Sequence, residues 1–182
     1  MPDFPAESPT EYPVFYTNVE RWLELTGRPP SYASTARNKT GSVYTPVIVR
    51  SRFTLKKLWA LNGATPGGAA QMALYHPQVT LSGLTPGVIA AKSEILTQAG
   101  ISSWQAFDVP DKVLAPGLYF LAWGNDTTTA TVQQLFAVFN AAAGELALGG
   151  IITGGTWPLS TTVSLGETTS EVVPILAMGG VA

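Results

Sequence analysis

The stretch Leu114-Ala-Pro-Gly-Leu-Tyr-Phe-Leu-Ala-Trp-Gly-Asn125 decides the fold. Pro116-Gly117 is a turn pair, and the apolar run after it is rich in side chains that suit a pleated surface. At a period of two, Leu118, Phe120 and Ala122 face one way, and Tyr119, Leu121 and Trp123 face the other. Neither set is polar, so the run predicts a core strand, Gly117–Trp123, buried on both faces. Gly124-Asn125-Asp126 closes it with a tight-turn signal.

Working outward, Thr45–Val49, Phe53–Leu61, Ala69–Tyr75 and Trp104–Val109 read as further strands. Ala64–Gly68 is a turn. Residues 77–87, with two prolines and two glycines, read as a loop, and Asp108 and Asp111 flank Pro110 in a turn. Val88–Leu96 fits a strand or a short helix equally. Beyond the central stretch, residues 127–131 suggest an exposed strand or loop. Val132, Leu135, Phe136 and Phe139 are spaced for a short helix that Ala141–Ala143 would extend. Ile151-Ile152, Thr161–Leu165 and Val172–Met178 read as closing strands. Many short strands between turn signals predict an all-β, antiparallel sandwich rather than an α/β fold.

Upstream, residues 1–15 carry four prolines among Phe4, Tyr12, Val14 and Phe15, which predicts an extended segment. Thr17 and Glu20 form a capping box ahead of Val19, Trp22 and Leu23, and Gly27-Arg28-Pro29-Pro30 ends a helix of roughly two turns. Residues 28–44 read as a connecting loop. The expected organisation is an N-terminal arm with a short helix, 1–43, followed by a sandwich domain, 44–182.

Composition narrows the function classes. Of 182 residues, 46% are hydrophobic and only 12% charged, about half the usual charged fraction of roughly 25%. Such a surface suits a β-rich protein that buries area against neighbours. With no cysteine, a disulfide framework and a thiolate metal site are both excluded. The N-terminus lacks the basic and apolar regions of a signal peptide. The longest apolar tract, Leu135–Ile152, is broken by Asn140, Glu145 and glycines, so no membrane span is expected. Residues 1–57 carry eight basic and five acidic side chains, whereas the remainder carries two and seven. The belt from Arg28 to Lys57 could meet nucleic acid or the acidic portion of a neighbouring copy. Without clustered aromatic stacking partners, nucleic acid is the weaker expectation.

An enzyme site is hard to assemble from these residues. His76 is the single histidine, so a multi-histidine metal centre is excluded, and no Gly-x-Ser-x-Gly elbow accompanies it. Asp108 and Asp111 are the closest acid pair in the middle of the chain, and turn chemistry accounts for them better than glycoside hydrolysis. Gly149–Gly155 lacks the Lys-Ser/Thr of a phosphate loop. The triplets Asn38-Lys39-Thr40 and Asn125-Asp126-Thr127 match a glycosylation pattern, and without a secretion signal both are read as chance matches. Trp59, Trp104, Trp123 and Trp157 lie on or beside strands, where core packing is the plainer role. Tyr75, Trp104 and Trp157, at strand ends or loops, are the candidates for stacking on a sugar.

Four segments carry a resemblance. They are Ala70-Gln-Met-Ala-Leu-Tyr-His-Pro77, the strand Gln105–Val109 leading into Leu114–Ala122, Gly149-Gly-Ile-Ile-Thr-Gly-Gly-Thr-Trp-Pro-Leu159, and Val173-Pro-Ile-Leu-Ala-Met178. In this order, across residues 45–180, the chain resembles a β-sandwich module of phage virion proteins, including head decoration, head-fibre and tail-fibre proteins. The resemblance implies a jelly-roll-like sandwich in a virion, serving assembly or host-surface binding, with no catalysis and no cofactor. It implies partners among other virion proteins, capsid or tail subunits, and a homo-oligomer, as a trimer. Val132–Leu148 departs from the module, and residues 1–40 have no counterpart in it.

Two functional expectations follow. The first is a non-enzymatic virion structural protein, a capsid decoration or fibre component, anchored by arm residues Phe4, Tyr12, Phe15 and Trp22. The second is an adhesin module that recognises a host glycan through Tyr75, Trp104 and Trp157.

Overall fold

The computed structural model describes Tyr12 and residues 14–17, 31–36, 41–80, 83–136, 151–152, 157–161, 168–169 and 173–182. The strands are β1 (Val14–Thr17), β2 (Ser31–Ala36), β3 (Gly41–Val49), β4 (Phe53–Leu61), β5 (Ala69–Thr80), β6 (Gly83–Lys92) and β7 (Leu96–Thr97). They continue with β8 (Trp104–Leu114), β9 (Gly117–Asn125), β10 (Thr131–Phe136), β11 (Ile151–Ile152), β12 (Thr168–Thr169), β13 (Val173–Pro174) and β14 (Leu176–Val181). No helix occurs among the described residues.

Two antiparallel sheets dominate. A four-stranded sheet has the order β1-β14-β4-β8, and a five-stranded sheet has the order β3-β9-β5-β6 with β7 also paired to β5. Smaller sheets join β13-β10-β2 and β11-β12. Leu55 and Leu58 of β4, Phe107 of β8 and Met178 of β14 belong to one buried cluster with Met72 and Leu74 of β5 and Leu121 and Trp123 of β9. That shared core fits a β-sandwich.

β9 is interior to its sheet, paired with β3 from Gly41↔Asn125 to Val49↔Gly117 and with β5 from Ala70↔Asn125 to Tyr75↔Phe120. Its alternation works as the side-chain pattern predicts. Tyr119, Leu121 and Trp123 enter the main cluster, while Phe120 and Ala122 join Tyr44, Ala73, Tyr75 and Leu159 in a second cluster. Both faces of the strand are dry.

β4 has the expected bounds. Between Leu55 and Lys57 its register slips against both neighbours, and against β14 the strand carries one extra residue. The extra residue turns Leu58 inward, and Lys57 stays half-buried, where strict alternation would bury Lys57.

Prolines fall where a missing donor is tolerated. Pro110 lies on the edge strand β8, Pro86 on the edge strand β6 and Pro46 on the edge strand β3. Pro77 of β5 faces Pro86 beyond Tyr75, where β5 has lost β9 as a neighbour. Of residues 77–87, expected as a loop with a short extended piece around Val79–Leu81, the described ones, 77–80 and 83–87, are strand and pair as the outer part of the β5–β6 ladder. Val88–Lys92 is strand, and Asp108 and Asp111 sit within β8 rather than in a turn.

Two further expectations change. Thr131–Phe136 is a strand where helical spacing predicts a helix, because β10 is held between β2 and β13. Residues 31–36, expected as loop, supply the β2 partner. The helix expected after Thr17 lies outside the described residues apart from Thr17 itself, which ends β1. β1, β2 and the start of β3 lie within the segment expected as an arm, and each pairs with a strand from beyond residue 44.

Candidate functional site

Side chains of chemical interest are dispersed. No group of three or more His, Asp or Glu side chains gathers among the described residues. His76 is exposed, its ring 5.4 Å from that of Tyr119. Asp108 pairs with Lys57 at 3.6 Å and Asp111 with Lys56, so both acids are held in surface ion pairs across β4 and β8. Of the basic belt, Arg50 and Arg52 are exposed at the β3–β4 turn, and Arg28, Arg37 and Lys39 lie outside the described residues.

One end of the sandwich is built on buried amides. Gln98 Nε2 donates to Asn62 Oδ1 at 2.9 Å and to the Thr131 carbonyl at 3.0 Å. Gln98 Oε1 accepts from Asn125 Nδ2 at 3.2 Å and from the Gly67 N–H at 3.3 Å. Asn62 Nδ2 also donates to Gln105 Oε1 at 3.1 Å. Three connections, 62–68, 93–103 and 126–130, are thereby tied together. Buried amides carry a desolvation cost unless satisfied, and these have partners throughout, so the cluster fixes loop positions. Asn125 is fully buried, which closes its glycosylation triplet to modification in the folded chain.

The outer face of the five-stranded sheet is covered by residues 157–161. Leu159 packs with Tyr44, Tyr75 and Phe120, and its N–H donates to Gln71 Oε1 at 3.1 Å. Tyr75 donates its hydroxyl to the Ser160 carbonyl, and its ring meets Tyr44 edge-on at 5.4 Å. Burial raises the Tyr75 hydroxyl far above its ordinary range, and the neighbouring Tyr44 adds to the shift. Burial also raises Tyr44, against a hydrogen bond from Ser42.

Of the expected sugar-stacking residues, Tyr75 is 0% exposed and Trp104 8%, so neither ring presents a face to solvent. Trp157 keeps part of its surface open on the covering segment. The three are not brought together into one platform.

A third region is the seat of the N-terminal segment. β1 pairs with β14 from Val14↔Gly180 to Thr17↔Ala177. The Tyr12 ring stands edge-on to Trp59 at 5.6 Å, and Tyr16 lies 5.3 Å from Phe53. The Tyr16 hydroxyl accepts from the Ser51 N–H at 3.1 Å and the Arg50 N–H at 3.3 Å, pinning the β3–β4 turn. Thr17 Oγ1 donates to the Leu176 carbonyl at 3.0 Å. Space is tight at Gly179, where a Cβ would stand 3.0 Å from the Trp59 ring and 3.1 Å from the Val14 carbonyl oxygen. Of the expected docking residues, Tyr12 is in this seat and Phe15 is on β1 opposite Gly179, whereas Phe4 and Trp22 lie outside the described residues. Sequence patterning missed Tyr16, which is the buried anchor of the segment. The strand alternation Val14-Phe15-Tyr16-Thr17 was its available signal.

Exposed large apolar side chains complete the surface. Val79 is 81% exposed, Ile101 70%, Val88 64% and Val113 52%. Comparison with known proteins gives no match, whether to family models, to curated proteins or to solved structures.

Proposed function

We propose that this chain is a non-enzymatic virion structural protein, a capsid decoration or fibre component that acts through its surfaces. The two sheets form the jelly-roll-like body, and the N-terminal residues attach it to neighbouring capsid or tail subunits as part of a homo-oligomer. The observation that carries the proposal is the combination of a 12% charged composition with Val79, Val88, Ile101 and Val113 standing exposed on a sandwich. Apolar side chains left in water on a charge-poor surface favour burial against a partner. The resemblance of segments 70–77, 105–122, 149–159 and 173–178 to virion modules supports the location.

The test is incorporation into particles. Chains lacking residues 1–30 should be lost from purified particles while the full chain is retained. Equal retention of both would remove the N-terminal attachment.

A second proposal, a glycan-binding adhesin module, draws on Trp157 alone, since its ring is partly open and backed by Gly124. A glycan array should then show binding that Trp157→Ala removes. A blank array would sink it.

A further inference from the structure

Resting on the assembly role above, we propose that Tyr12–Thr17 is an exchangeable strand, and that its seat on β14 and β4 also accepts this segment from a second copy of the chain. The expected anchor residues motivate the inference. Tyr12 packs on Trp59 of its own chain and Tyr16 on Phe53, so a segment seated this way cannot also grip a neighbour. Exchange between copies removes the conflict, because every contact in the seat is reproduced when the segment comes from another chain.

Three features make the segment separable. Of the segment's described side chains, Tyr16 is buried in the main cluster and Tyr12 and Val14 pack against it partly buried, while β3, β4, β5, β8, β9 and β14 supply the bulk of that core. The body therefore has a core of its own without β1. The segment's backbone ladder runs along one strand, β14, which is the geometry of strand addition to an open sheet edge. Removing β1 would leave the outer edge of β14 without its ladder partner, an edge that favours recruitment of another strand. Finally, residues 18–30 join Thr17 to Ser31. Thirteen residues can reach up to about 45 Å when extended, against about 30 Å for the length of a nine-residue strand. Reciprocal exchange would close a dimer, and one-way exchange around a ring would close a trimer.

The chain has no cysteine, so engineered thiols report without background. Thr17 and Ala177 are ladder partners. Purified T17C and A177C chains are mixed, re-equilibrated through mild denaturant and oxidised. Exchange predicts a disulfide-linked T17C–A177C dimer that neither variant forms in the same yield alone. Cross-linking confined to a single chain carrying both substitutions, with no link in the mixture, would overturn the proposal. Light scattering provides a second measurement independent of thiol geometry. The full chain should have a mass of two or three copies, and a chain lacking residues 1–17 should be a folded monomer. A monomeric full chain across the concentration range would overturn it as well. Both measurements use purified chain without particles, so failure of virion incorporation and failure of exchange are read separately.

Discussion

The indole of Trp157 fills the space above Gly124, 3.2 Å from where a β-carbon at that position would stand. Gly124 is thus the place where β9 lets the covering segment come close. Glycine within an apolar strand often marks such an approach. Gly124→Val should push Trp157 outward, red-shift the tryptophan fluorescence and lower stability by about 1–3 kcal/mol. Gly124→Ala should do less. An unchanged emission spectrum for the valine variant would mean that Trp157 does not rest there.

Tyr75 tests the same cover from beneath. Tyr75→Phe keeps the ring and its contact with Tyr44 but leaves the Ser160 carbonyl without its donor. Chemical denaturation should show a loss of about 1–2 kcal/mol.

The two buried tyrosines also fix a pH dependence. Burial raises both hydroxyls above the ordinary tyrosine value of 10.0, so the folded chain holds these protons more tightly than the unfolded chain. Below about pH 10 neither state loses them, and their effect on stability is constant. Above it the unfolded chain ionises first, and stability falls as pH rises. Absorbance of tyrosinate should therefore show Tyr44 and Tyr75 ionising only with global unfolding. The Tyr44→Phe, Tyr75→Phe double variant should lose that late component.

At the loop end, Gln98→Ala removes the donor to Asn62 Oδ1 and the Thr131 carbonyl and one of the two acceptors of Asn125 Nδ2. A loss of about 2–3 kcal/mol is expected from buried partners left unsatisfied. Adding Asn125→Ala should cost less than the sum of the single changes, since both act on one network.

Core and surface should separate cleanly. Leu121→Ala, in the doubly buried strand, should cost about 2–5 kcal/mol. Val79→Ser and Ile101→Ser should stay within about 0.5 kcal/mol of the parent in denaturation, while reducing self-association or particle binding. A surface substitution that leaves all association intact would exclude that side chain from the interface.

Much of this architecture is legible in side-chain pattern. The two-faced apolar run 117–123 does lie inside a sheet, and Phe53–Leu61 has the expected bounds although its alternation breaks at Lys56-Lys57. Other elements depend on partners that no local pattern names. β2, Ser-Tyr-Ala-Ser-Thr-Ala, has little apolar alternation and exists as a strand through its register with β10. Val132, Leu135 and Phe136 fit a helical spacing, yet the ladders to β2 and β13 make the segment extended. Pro77 and Pro86 read as breakers because their tolerance depends on where β9 stops pairing with β5. Among the candidate site residues, Trp104 does open a strand, whereas Tyr75, expected at a strand end, lies inside β5. Their burial is set by Leu159 and Ser160 in one case and by the sheet core in the other, both distant in sequence.

The central claim, that the chain is a structural part of a virion, is met most directly by a reconstruction of purified particles. The account predicts density for the two-sheet body at fixed stoichiometry on the capsid or tail, with its N-terminal residues in contact with a neighbouring subunit. Particles that are complete without this chain, and from which it is absent by mass spectrometry, would contradict it.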